Sequence, residues 1–242
     1  MVGGPCNFVG NATIFGEPAK TRKTITAAVG GERVVLNSLQ VNAINWFHKD
    51  LLLLVVDGAY GAGKSLCTAL MAVQAVKKGK KVLIVAVQNS ALDVICSKLA
   101  QMDTPDIHPV RYVNGMLARD ALRTGSYDIA SIIERLPVMH SDRMGPSADA
   151  MFRVFTDKLR RLREFLFTSV EQCLMASEHN TLLFLEEANS ERVKALTSEF
   201  LIIYLPNIFI CAIASAINLT TKRGLWRRPS RRQWDTVFLD EA

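Results

Sequence analysis

The sequence predicts an α/β fold in which a parallel sheet is flanked by helices. Three observations carry this expectation. Short apolar runs alternate with stretches of helical periodicity from residue 36 onward, a Gly-rich segment joins the first run to the first long helix, and the last run ends on two carboxylates. Strand, helix, strand, helix in this rhythm implies crossover connections and hence a parallel sheet.

Residues 1–35 carry Gly, Pro and Thr without clear periodicity and read as a lead-in that leaves room for short strands. Leu36 to Lys49 reads as a short helix, with Leu39, Ala43 and Phe47 at helical spacing. Leu51 to Asp57 (LLLLVVD) reads as a buried strand ending at a Gly-rich turn. Ser65 to Lys78 reads as a helix that Gly79 is placed to terminate. Val82 to Val87 is a second buried strand, Ser90 to Met102 a helix, and Pro109 to Val113 a third short strand.

Residues 115–200 read as a helical insertion in this sheet domain. Phe152, Phe155, Leu159, Leu162 and Leu166 recur at three- and four-residue steps, so Met151 to Val170 forms an amphipathic helix. Arg153, Lys158, Arg160, Arg161 and Arg163 line its other face, which can track phosphates but is more often simply solvated. A second helix covers Glu187 to Phe200, and strands follow at Asn207 to Ala214 and Thr236 to Leu239. The organisation is a lead-in over 1–35 and one domain over 36–242.

Composition bounds the function classes. Of 242 residues, 49% are hydrophobic and 21% charged, which suits a globular core. Five scattered cysteines with no CxxC pair argue against a disulfide framework and a zinc site, and fit a reducing, cytoplasmic or nuclear compartment. Phe200 to Thr221 contains no charge and is long enough to span a bilayer, but Pro206, Asn207 and Asn218 interrupt it. A buried strand explains it better, so no membrane is expected. The net charge of +6 equals the six cations in KRGLWRRPSRR: Lys222, Arg223, Arg227, Arg228, Arg231 and Arg232. Such a cluster suits nucleic acid, a nuclear import signal or a solvated loop alike.

The strongest chemical signal is Gly58-Ala59-Tyr60-Gly61-Ala62-Gly63-Lys64-Ser65, a full match to GxxxxGK[ST]. Glycines let backbone N–H groups wrap a phosphate chain at a helix N-terminus. Lys64 is then expected on the β- and γ-phosphates and Ser65 on Mg²⁺, with Gly58, Gly61, Ala62 and Gly63 cradling the phosphates. The second signal is Thr236-Val237-Phe238-Leu239-Asp240-Glu241, which delivers two carboxylates at a strand's C-terminal end. Asp240 is expected to hold Mg²⁺, and Glu241 to orient or deprotonate the attacking water. The cofactors implied are ATP and Mg²⁺.

Taken together, Leu36 to Ala242 resembles superfamily 1B helicases of the nonsense-mediated-decay and senataxin class, whose ATP-binding unit is a RecA-like P-loop NTPase domain. Leu36-Asn37-Ser38-Leu39-Gln40-Val41-Asn42-Ala43 resembles their Q motif, which implies Gln40 on the adenine. Val85 to Asp93 resembles motif Ia, which implies that Asn89 and Ser90 touch a nucleic-acid backbone. Ile210 to Ala216 resembles motif Ic, and Leu239-Asp240-Glu241-Ala242 resembles motif II. Single-stranded RNA or DNA is the implied partner, with Arg227, Arg228, Arg231 and Arg232 as further contacts. The sequence departs from the family at Ala59, Tyr60 and Val87, where prolines are usual, and around Ile213, where a threonine is usual.

The resemblance also implies a motif III strand between the P-loop strand and the motif II strand, and a second RecA-like domain that supplies arginines to the γ-phosphate. Neither is in these 242 residues. The expectation is therefore a sheet incomplete at its C-terminus, with exposed apolar strand edges, from a truncated gene product or an incomplete gene model. The functional expectation is the ATP-binding half of an RNA or DNA helicase, weakly active or inactive alone. A non-catalytic nucleic-acid-binding or regulatory remnant is the alternative, and an unrelated P-loop ATPase a third.

Overall fold

The computed structural model describes residues 26–49, 51–59, 61–102, 104–112, 125–168, 196, 199–220 and 234–240. It opens on a hairpin of β1 (Thr26–Val29) and β2 (Glu32–Val35). Gly30 and Gly31 both take positive φ, the backbone that a two-residue hairpin turn needs and that side chains disfavour. The Gly30 N–H donates to the Gln101 carbonyl at 2.7 Å, tying the turn to the end of a later helix.

Helix α1 (Ser38–Phe47) starts at a capping box: the Asn37 side chain accepts from the Gln40 N–H while the Gln40 side chain accepts from the Asn37 N–H. Helix α2 (Lys64–Lys77) leads through Gly79, at φ 75°, into β3 (Val82–Ala86). Helix α3 (Asn89–Gln101) and β4 (Pro109–Tyr112) follow. Next come α4 (Ile129–Met139), α5 (Pro146–Thr168), β5 (Ile208–Ala212), α6 (Ile213–Thr220) and β6 (Thr236–Asp240).

The main sheet has four parallel strands in the order β4-β5-β3-β6. Alternate residues of each strand face opposite layers. Ile84, Ile208 and Ile210 pack with Ala72, Val73, Leu92 and Ile95 of α2 and α3. Leu83, Val85, Phe209 and Cys211 pack with Ile132, Leu136, Phe152 and Phe155 of α4 and α5. The described helices of the expected insertion are thus the second covering layer of the sheet, not an appendage to it. A smaller cluster of Val41, Ile44, Cys67 and Met71 clamps α1 to α2.

Most expected elements appear within one or two residues of their predicted ends, but α5 starts at Pro146, five residues ahead of the expected Met151. Val170 and most of Glu187 to Phe200 lie outside the described residues, as does the basic segment between the last two strands. The apolar stretch from Phe200 divides into a helical end at 199–204, β5 and α6. Among the described residues no helix is long and apolar enough to cross a membrane.

One expectation fails. Leu51 to Asp57 is not a buried strand: it belongs to neither sheet, and Leu52 is 87% and Leu53 69% exposed. A parallel strand owes its burial to a strand on each edge and helices on both faces, and this run has not been given that cover. The nearer consequence lies at β6, which pairs only with β3 and leaves Val237 and Leu239 more than half exposed.

Candidate functional site

The loop ahead of α2 is shaped by two left-handed glycines, Gly61 at φ 77° and Gly63 at φ 81°. Gly63 is the N-cap of α2 and makes no side-chain cap, so the first N–H groups of this 14-residue helix lack that partner. Their dipoles leave positive potential at the loop. Because α2 returns through a short turn to β3 and packs on it, it runs antiparallel to that strand. Its N-terminus therefore lies toward the C-terminal edge of the sheet, where ligands gather in open α/β folds.

Several predicted residues meet here. The Lys64 ammonium donates to the Gly58 carbonyl at 2.7 Å and the Ala59 carbonyl at 3.2 Å, drawing the loop around itself. Gln40 Nε2 donates to the Ala62 carbonyl at 3.0 Å, joining α1 to the loop across 22 residues of sequence. That same amide nitrogen occupies the space that a Cβ on Gly63 would need. Ser65 follows as a half-buried residue of the first turn of α2. Tyr60 lies outside the described residues.

Asp240 ends β6, is buried and is paired in register with Ala86, the last residue of β3. Asn89 and Ser90 open α3 just beyond the same strand end, with the Ser90 hydroxyl donating to Gln88 Oε1 at 3.3 Å. The parallel register thus places Asp240, Asn89 and Ser90 on the edge toward which the loop also lies. Glu241 and the four arginines Arg227, Arg228, Arg231 and Arg232 fall outside the described residues.

Sequence reasoning missed two polar clusters. Arg111, inside β4, is buried and pairs with Asp93 at 2.5 Å and Asp128 at 3.6 Å. Burial pushes the Asp128 carboxyl up, while the Gly125 N–H and the Arg111 guanidinium pull it back. The Arg111 N–H also donates to the Tyr127 carbonyl at 2.7 Å, so this cluster fastens the start of the α4–α5 layer to the sheet edge. An arginine in the apolar run Pro109 to Val113 was the available signal. Nearby, burial pushes the Cys96 thiol up to about 12, which disfavours the thiolate that a nucleophile needs.

The second cluster is His108, His140 and Tyr204. His108 Nδ1 lies 2.7 Å from the Tyr204 carbonyl oxygen, and the Tyr204 hydroxyl donates to the Pro109 carbonyl at 3.1 Å. The two imidazoles stand 6.5 Å apart, and burial, Arg143 and His108 together lower the His140 pKa. Nothing in the sequence brings these three positions together.

No protein-family model matches the chain, and a search of curated proteins finds no match.

Proposed function

We propose that this chain binds Mg-ATP through Gly58–Ser65 and forms the ATP-binding half of a superfamily 1 nucleic-acid motor built on a RecA-like P-loop domain. The observation that carries the reading is the left-handed Gly63 set at the open N-terminus of α2. This geometry, in a complete GxxxxGKS sequence, suits a phosphate chain seated on backbone N–H groups. Lys64 exchanges its two carbonyl partners for phosphate oxygens, trading neutral acceptors for charged ones.

The donor set suits Mg²⁺, which takes one or two protein ligands and completes its octahedron with phosphates and water. Ser65 and Asp240 are those ligands in this reading, and the ion neutralises charge on the β- and γ-phosphates when bound. Glu241, adjacent to Asp240 in sequence, holds the attacking water. Asn89, Ser90 and the arginines at 227, 228, 231 and 232 receive the backbone of single-stranded RNA or DNA.

A second reading, a nucleic-acid-binding remnant without nucleotide chemistry, is favoured by one observation: the run leading into the loop is exposed instead of seated in the sheet. Calorimetric titration with Mg-ATP separates the two. The expected result is binding by the natural chain and loss of most of it in Lys64→Ala. Equal affinities defeat the phosphate-cradle reading, and strand binding without nucleotide binding establishes the remnant.

A further inference from the structure

We propose that Gln40 is a positioning residue for phosphate recognition: it aims the Gly63 N–H at the phosphate chain, and its effect does not depend on the base. The proposal rests on the reading that Gly58–Ser65 binds phosphate. Both ends of the Gln40 amide are engaged by the protein. Oε1 accepts from the Asn37 N–H at 3.0 Å, and Nε2 donates to the Ala62 carbonyl at 3.0 Å. This pattern also sets the amide orientation, since only the oxygen can accept and only the nitrogen can donate.

The consequence follows from peptide geometry. In a trans peptide the C=O and N–H point in opposite directions within one plane. Holding the Ala62 carbonyl against Gln40 therefore turns the Gly63 N–H away from the Gln40 amide, the direction that the proposal assigns to the phosphate chain. Gly63 adopts φ 81°, a backbone that side chains disfavour, and a Cβ there would also displace the Gln40 amide nitrogen. Gln40 is itself anchored: the Asn37 backbone N–H holds its side-chain oxygen, and the Val41, Ile44, Cys67 and Met71 cluster holds α1 against α2. The peptide that faces the phosphates is thereby referenced to two packed helices.

A ligand with the phosphate chain but no base separates this role from base reading. Mg-tripolyphosphate and Mg-ATP are titrated calorimetrically into the natural chain, Gln40→Ala, Gln40→Met and Asn37→Ala. Gln40→Met keeps a long unbranched side chain and good helix propensity while removing both hydrogen bonds. Losing one oriented hydrogen bond corresponds to about a three- to tenfold effect. The expected result is that both Gln40 variants weaken the two ligands by the same factor of about three to ten, with unchanged stoichiometry. Asn37→Ala, which keeps the Gln40–Ala62 bond, should stay within about twofold of the natural chain. Weakening of Mg-ATP alone shows that Gln40 reads the base and overturns the proposal. An equal loss in Asn37→Ala overturns it too, because the effect then belongs to the helix cap. If the natural chain binds neither ligand, the phosphate reading itself falls, a result distinct from either of these.

Discussion

Two apolar runs of similar character meet opposite fates in this molecule. Val82–Ala86 is buried along its whole length, with β5 on one edge, β6 on the other and helices over both faces. Leu51 to Val56 is richer in leucine, yet lies outside both sheets with most of its side chains exposed. The difference is not hydrophobicity. A strand's polar backbone can leave water only when neighbouring strands satisfy its N–H and C=O groups, and of these two runs it is β3 that has them on both sides. The same rule grades β6, which is paired on one edge and half exposed.

Amide hydrogen exchange offers the largest test of this contrast. Core strands open only with large-scale unfolding, whereas unpaired segments exchange almost freely. The amides of Val82–Ala86 should exchange at least about a thousandfold more slowly than those of Leu51 to Asp57. Comparable protection in the two runs would break the comparison, and would show that the second run finds partners in solution.

The next effect is energetic. Ile84→Ala, at a position with 0% exposure between β5 and β6, should cost about 2–5 kcal/mol in urea unfolding. Leu53→Ala should change stability by no more than about 0.5 kcal/mol, as expected of an exposed side chain. A cost above about 2 kcal/mol at Leu53 would mean that this run is packed after all.

The smallest effect concerns a site where burial is partial. His140 closes α4 against His108 and Tyr204, and its pKa is lowered chiefly by burial, then by Arg143 and His108. Since the folded state prefers the neutral ring, protonation costs stability as pH falls from the ordinary histidine value near 6.5 through the lowered one. Melting temperature should therefore drop more between pH 7.5 and 5.5 in the natural chain than in His140→Gln. Parallel curves would remove His140 from the acid sensitivity of this layer.

The elements that periodicity reveals well are those whose neighbours are local. Helices α1, α2 and α3 announce themselves through apolar spacing and Gly79, because helical hydrogen bonds close within four residues. The hairpin of β1 and β2 was legible only as room for strands, although the Gly30-Gly31 pair carried its turn. Ile213 and Ala214 read as the end of a strand in sequence and start a helix in the structure. A short apolar run does not itself distinguish the two states.

The candidate site divides along the same line. GxxxxGKS and the acidic pair Asp240-Glu241 could be read directly, since each is a local string whose chemistry lies in its own residues. The contact between Gln40 and Ala62 could not, nor could Arg111 between Asp93 and Asp128, because each joins residues distant in sequence.

By itself, the sequence determined an α/β chain with parallel-strand candidates, the positions of α1, α2 and α3, and the glycine-lysine-serine loop. Those features follow from backbone geometry and side-chain spacing over a few residues. Only the tertiary structure decided which apolar runs enter the sheet, that α4 and α5 form its second face, and that the Gln40 amide grips the loop. Burial and long-range hydrogen bonds depend on which neighbours are available in space, and in Leu51 to Val56 the same apolar chemistry was left without them.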